Sequence, residues 1–283
     1  LQQAEEIAAA SGAKLTALVC IYELGAEIDT VLGGTLLKNL RKPVLARKKE
    51  WLDGILAPMR DRGISIESKV EWAKKDYQFI AKLTEEQDFD LIIKSSHHHS
   101  KIQRALYTPG DWHLIRKSKV SILFVRQKQT LKGGQLLLAL DVIDNKGNLE
   151  YLNKTLLDET KHFSEQLDLT VNLVNAYPTT YMFATFSPEE YSHAVIQKRL
   201  EVSHREALET IAQRNDIDAD RVFLQEGEVS EVINDVANDI SAGIIVMGCH
   251  GRDGFSGFLL GNSAESVLES VERNILIVKT PGE

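Results

Sequence analysis

Ile244-Ile245-Val246-Met247-Gly248-Cys249-His250-Gly251, followed by nine residues and then Gly261-Asn262-Ser263-Ala264-Glu265, decides how this chain of 283 residues folds. The apolar β-type run reads as a buried strand, and spaced glycines follow it before a helix start. That order brings bare backbone N–H groups against an anion, beside the positive end of a helix dipole. Gly248, Gly251 and Gly261 have separate jobs. A glycine ending the strand permits a tight turn, and the others let main chain approach a phosphate with no Cβ in the way. Asn262 is placed to cap the following helix, and Glu265 three positions later completes a capping-box pattern. The stretch predicts a phosphate-bearing ligand.

Working outward, Leu136 to Leu140 reads as a strand ending at Asp141, followed by a helix over Leu149 to Gln166 and a strand over Leu169 to Tyr177. A long helix to about Asn215, a strand at Arg221 to Gln225 and a helix at Ser230 to Asn238 lead into the glycine stretch. The chain closes with a helix from Ser263 and a strand at Asn274 to Lys279. Strands alternating with helices predict an α/β domain with a parallel sheet.

Residues 1 to 126 repeat the plan, with helices at Gln2 to Ser11, up to about Arg62, and at Gln78 to Glu86. Strands fall at Lys14 to Tyr22, Ile64 to Trp72, Asp90 to Lys94 and Val120 to Arg126. Superposing the closing strands sets Phe124-Val125-Arg126 on Ile277-Val278-Lys279, an offset of 153 residues. Gly248, Gly251 and Gly261 then fall on Ser95, His98 and Thr108, so the glycine cradle is confined to the second copy. The first copy has nothing corresponding to the strand at Leu136, and a segment ahead of Leu1 is expected to supply it. The expected organisation is a first domain over 1–128, a polar linker over 129–134 and a second domain over 135–283.

Composition sets the class. With 43% hydrophobic residues and no apolar run near the roughly 18 a membrane span needs, a soluble cytoplasmic protein is expected. The two cysteines, Cys20 in an apolar run and Cys249 in the glycine stretch, make no disulfide framework. The net charge of −8 gives no reason to expect nucleic-acid binding. Residues 1 to 130 carry 21 basic and 16 acidic side chains, a net of +5, against 12 and 25, a net of −13, in the rest. Electrostatic docking of one half on the other is the simpler reading of that asymmetry.

Neither the Walker motif nor the dinucleotide Gly-x-Gly-x-x-Gly occurs after a strand. Gly-x-x-Gly, nine residues, then Gly and Ser or Thr resembles the ATP-binding signature of the universal stress protein family. Gly248, Gly251 and Gly261 match it; Asn262 stands where the family has Ser or Thr, and Ser263 comes one place later. Thr108-Pro109-Gly110-Asp111-Trp112 and Ala176-Tyr177-Pro178 extend the resemblance over both halves. It implies two tandem open parallel five-stranded sheets flanked by helices, the first lacking its first strand in this chain. It further implies domains paired through their last strands, with a homodimer as a further option, and roles in resistance to DNA damage and in motility or adhesion.

Carried over residue by residue, the resemblance puts Asp141 and Ala176 on adenosine, and Gly248, Gly251, Gly261, Asn262 and Ser263 on the phosphates of ATP with Mg²⁺. Arg252 and His250 join the phosphate side on charge and position. For Asp141 the alternative is a turn aspartate, and for Arg252 a solvated loop cation. No nucleophile, paired carboxylate or metal cluster assembles into catalytic machinery, so any ATP hydrolysis is expected to be slow. A nucleotide sensor, a slow ATPase and a scaffold carrying another ligand are the three functions in play. His97-His98-His99 and His113 offer Zn²⁺ ligands in type. Consecutive histidines cannot all face one metal, so a polar loop in place of the lost glycines is expected there, with an anion beside Lys94, Lys101 and Arg104 as another reading.

Overall fold

The computed structural model describes residues 1–22, 34–95, 107–143, 149–179, 193–251, 258–259 and 262–280. The chain forms two compact units, Leu1–Gln87 and Asp88–Glu283.

In the first unit, α1 (Gln2–Ser11) leads to β1 (Leu15–Ile21), α2 (Gly34–Asp61), β2 (Ile66–Trp72) and α3 (Asp76–Glu86). β1 and β2 pair in parallel from Leu15↔Ile66 to Ile21↔Trp72. Leu52, Leu56 and Met59, spaced at helical intervals on α2, are buried against Leu15, Val19, Ile66 and Val70 of that ribbon. Asp53 accepts from Ser68 Oγ and Arg60 Nη2 at 2.7 and 2.8 Å, tying the helix to the strand edge.

The second unit begins with β3 (Leu91–Ser95), α4 (Pro109–Lys117) and β4 (Ser121–Val125). Then follow β5 (Gln135–Ala139), α5 (Leu149–Leu167), β6 (Thr170–Tyr177), α6 (His193–Arg214) and β7 (Val222–Glu226). α7 (Val229–Asp239), β8 (Ala242–Gly251), β9 (Phe258–Leu259), α8 (Asn262–Ser270) and β10 (Asn274–Thr280) complete it. One sheet runs β3-β4-β10-β8-β5-β6-β7, with β9 attached to β8. Leu136, Leu137, Leu138, Ile244, Ile245 and Ile277 are fully buried, as strands covered on both faces require. α5 buries Asn153, Leu156, Thr160, Phe163, Ser164 and Leu167, a stripe at i, i+3, i+4 and i+7 spacing.

The four strands of the first half are thus divided between two sheets, β1-β2 in one and β3-β4 in the other. The sequence leads one to expect a first sheet lacking its first strand, and among the described residues β1-β2 and β3-β4 are not hydrogen-bonded into one sheet. The segment expected as a polar linker is also tied down: Leu131 is fully buried, and Gly133 and Gly134 donate to Leu167 O and Leu131 O.

β4 and β10 meet antiparallel, with Leu123 opposite Leu276. These two residues are each other's counterparts at the 153-residue offset, so a pseudo-dyad passes between them. The polar contacts obey it. Asn274 Oδ1 accepts from Arg126 N at 2.8 Å, while Ser121 Oγ accepts from Lys279 N at 3.1 Å. Arg126 donates through Nη2 to Leu268 O at 2.9 Å and through Nη1 to Val271 O, where α8 ends; Lys279 Nζ donates to Ile115 O, where α4 ends. Each half thus uses the cation closing its last strand to satisfy orphan carbonyls at the end of the other half's helix.

Candidate functional site

In the order β10-β8-β5-β6-β7, β5 lies between β8 and β6, and the chain first winds one way from β5 and then returns to its other side. A crevice opens beyond the carboxyl ends of strands at such a switch point. Asp141, Ala176 and Gly248 stand at the carboxyl ends of β5, β6 and β8, three adjacent strands.

Gly248 is exposed and continues the strand, paired with Val278. Among the described residues, a Cβ built on it would meet Leu156 Cδ2 at 3.6 Å, which is ordinary contact. The expected tight turn is therefore absent at Gly248: strand pairing persists through Gly251, and His250 and Gly251 pair antiparallel with Leu259 and Phe258 of β9. What glycine supplies at 248 is room above the backbone. Cys249 is buried beside Lys279 of β10. Arg252 and Gly261 lie outside the described residues.

α8 starts at Asn262 itself, so this residue is the first helical one rather than the expected cap. Ser263 is exposed on the first turn. Glu265, expected to close a capping box, instead accepts from Arg116 Nη2 at 3.0 Å.

Asp141 is exposed, and its Oδ1 accepts from Ile143 N–H at 3.3 Å, the turn geometry weighed as its alternative. Its carbonyl accepts from Asn153 Nδ2 at 2.8 Å, anchoring the β5 end to α5. Ala176 is half-buried and in register with Gln225 of β7.

Between them lies a polar link that the sequence did not announce. Asn175, buried on β6, donates from Nδ2 to Leu140 O at 2.7 Å, and its Oδ1 meets His204 Nδ1 of α6 at 2.7 Å. An amide oxygen only accepts, so Nδ1 carries the ring proton and Nε2 is an acceptor. Burial holds the His204 pKa below its ordinary value, with the Asp141 charge opposing. Tyr177 packs on His204 with ring centroids 5.9 Å apart. A histidine inside an amphipathic helix carries no sequence signal of this role.

The corresponding place in the first half is built differently. Thr108 Oγ1 accepts from Asp111 N at 3.2 Å and Asp111 Oδ2 accepts from Thr108 N at 2.8 Å, a reciprocal cap on α4. Asp111 is buried, and its Oδ1 lies 2.9 Å from Lys94 Nζ. At the offset of 153, Lys94 and Asp111 fall on Met247 and Ala264. Thr108-Pro109-x-Asp111 was a readable capping signal. His97, His98 and His99, with Lys101 and Arg104, lie outside the described residues. His113 is exposed on α4, and among the described residues no three His, Cys, Asp or Glu side chains are grouped to hold a metal ion.

A cleft of about 620 Å³, lined by Gln127, Gln129, Asn238, Glu272 and Arg273 among others, opens near the amino ends of β8 and β10. It is polar and lies toward the opposite end of β8 from Gly248. Among the described residues no helix is long and apolar enough to cross a membrane.

Sheet order and the switch point define an α/β protein of the doubly wound type. The family model of the Universal stress protein family matches residues 1–126 and 151–279, and the chain belongs to that family. It is 30% identical over 269 residues to Universal stress protein E of Escherichia coli K12, covering 95% of this chain and 85% of that one. To Universal stress protein E of Photorhabdus laumondii it is 30% identical over 289 residues, covering 100% and 90%. Among solved structures, a Pseudomonas aeruginosa PAO1 protein of unknown function superposes with a TM-score of 0.70 at 24% identity, over 98% of this chain and 86% of that one. A universal stress protein from Archaeoglobus fulgidus gives 0.67 at 16% identity, over 98% and 92%.

Proposed function

We propose that this protein is a stress-response nucleotide sensor that binds one ATP with Mg²⁺, in its second half. The observation that carries the reading is Gly248: an exposed glycine with no steric need of its own, at the carboxyl end of the strand next to the switch point. Asp141 and the backbone at Ala176 would hold the adenosine, on strand ends that Asn175 and His204 fix relative to each other. Gly248, His250, Gly251, Arg252, Gly261, Asn262 and Ser263 would hold the phosphates, through main-chain N–H groups, the start of α8 and the Arg252 charge. Mg²⁺ would arrive on the phosphates and keep much of its water, which suits a site without a carboxylate cage.

The first half serves as a scaffold in this reading. Its Asp111 carboxylate, paired with Lys94, takes the place where the second half leaves space for an anion. The antiparallel seam of β4 and β10 joins the homologous halves, with their domains over 1–128 and 135–283, and leaves neither last strand as an open edge. Hydrolysis, if it occurs, relies on positioning alone.

Calorimetric titration of ATP·Mg²⁺ into the native chain and a Gly261→Val variant tests the reading. Heat from the native chain that the variant loses supports it; equal heats, or none from either, removes the site. Phosphate release followed over hours separates sensor from slow hydrolase.

A further inference from the structure

Cys249 and Lys279 occupy paired positions in the β8–β10 ladder, so the sheet register itself holds their side chains on one face. Both are buried, at 1% and 7% exposure, and Lys279 Nζ lies 3.6 Å from Cys249 Sγ. The amine is fixed from a second direction by its bond to Ile115 O, and the Lys279 backbone N–H by Ser121 Oγ. A four-carbon stem immobilised in a sheet, with its nitrogen near van der Waals distance of a sulfur, is a preorganised pair rather than a packing cysteine. Neither residue has a role in the nucleotide site proposed above.

We infer that Cys249 and Lys279 form a peroxide-responsive pair that closes to a reversible sulfur–nitrogen cross-link between β8 and β10. The amine takes the thiol proton, and the thiolate attacks one oxygen of hydrogen peroxide. The O–O bond breaks, giving Cys–S–OH and a hydroxide that receives the proton from the ammonium and leaves as water. The neutral amine then attacks the sulfenic sulfur; an S–N bond forms, the S–O bond breaks, and the departing hydroxide takes the amine proton as a second water. Sulfur loses two electrons and the peroxide gains them.

Burial supports the second step. It pushes the thiol pKa up and the Lys279 ammonium pKa down, against the attraction between the two groups, a shift toward the neutral amine that the second step uses. The neighbouring Gly248 is exposed, so the sulfur lies one residue from solvent and peroxide reaches it by local opening of the strand end.

Peptide mapping by mass spectrometry after treatment with hydrogen peroxide, in a Cys20→Ser background, tests the pair. A cross-linked peptide joining residues 249 and 279, lighter by two hydrogens and cleaved by a thiol reductant, is expected. Lys279→Arg removes the amine that serves as both base and nucleophile, so no cross-link should form there. Sulfinic acid at Cys249 in the lysine form, a cross-link carrying an extra oxygen, or a thiol that resists peroxide would overturn the inference. Folding of each variant is checked by circular dichroism, and the cross-link in the lysine form decides the matter even if Lys279→Arg is unstable.

Discussion

At the end of β3 the first half places a lysine against a buried carboxylate; at the matching end of β8 the second half places a methionine, an alanine and an exposed glycine. In each half the strand is followed by a helix on the same plan. The first satisfies its helix start internally, with Thr108 and Asp111 bonding reciprocally and Lys94 neutralising the charge. In the second half Gly248 is exposed, and in the proposed function an anion would bring acceptor atoms to the start of α8.

At the β4–β10 seam the two halves are alike. Arg126 and Lys279 reach across the β4–β10 seam to equivalent carbonyls, Leu268 O and Ile115 O. The strand ends differ between the halves, while the seam is symmetric in its polar contacts.

Arg126→Ala should break the comparison hardest. It removes a guanidinium that stacks 4.5 Å from the Tyr107 ring centroid and bonds two helix-end carbonyls, so a loss of about 3 kcal/mol in urea unfolding is expected. Lys279→Ala, with its single carbonyl partner among the bonds above, should cost less; a larger loss there would show that the seam is not symmetric in energy. Asp111→Ala strips the cap from α4 and the partner from Lys94, for about 2 kcal/mol by the same measurement, with ATP affinity unchanged. An effect on ATP binding would place nucleotide in the first half.

Gly248→Val is the reverse experiment. A Cβ there makes ordinary contact with Leu156 among the described residues, so stability should shift by less than about 0.5 kcal/mol, while ATP·Mg²⁺ affinity falls about tenfold, roughly 1.4 kcal/mol. The smallest effect concerns pH. His204 has a folded pKa depressed by burial, so the unfolded chain binds its proton first as pH falls. Stability from this group is present above the ordinary histidine pKa and is lost as pH falls through the folded one. His204→Gln should flatten that acid limb in denaturant titrations at several pH values; an unchanged limb would mean the ring is not buried neutral.

Much of the second half was legible because hydrophobic runs of strand and helix period alternate without ambiguity from Leu136 to Lys279. The repeat offset was legible from the closing strands. The glycine spacing located the strand end, yet it could not show that pairing continues past Gly248 to a short return strand at Phe258 and Leu259, since two residues give no periodic signal. Asn262 was misread by one position because helix starts are set by backbone geometry that neighbouring caps can shift. The division of the first half between two sheets depends on which strand lies between which, information that resides in tertiary pairing alone. The Arg126 and Lys279 contacts left one trace, a basic residue closing each apolar strand.

The central claim is one nucleotide site per chain, in the second half. Its most direct test is the stoichiometry of ATP·Mg²⁺ binding by calorimetry on the intact chain. One ATP per chain, with heat lost in Gly248→Val, is the predicted result. Two ATP per chain, or one that Gly248→Val leaves untouched, would contradict it.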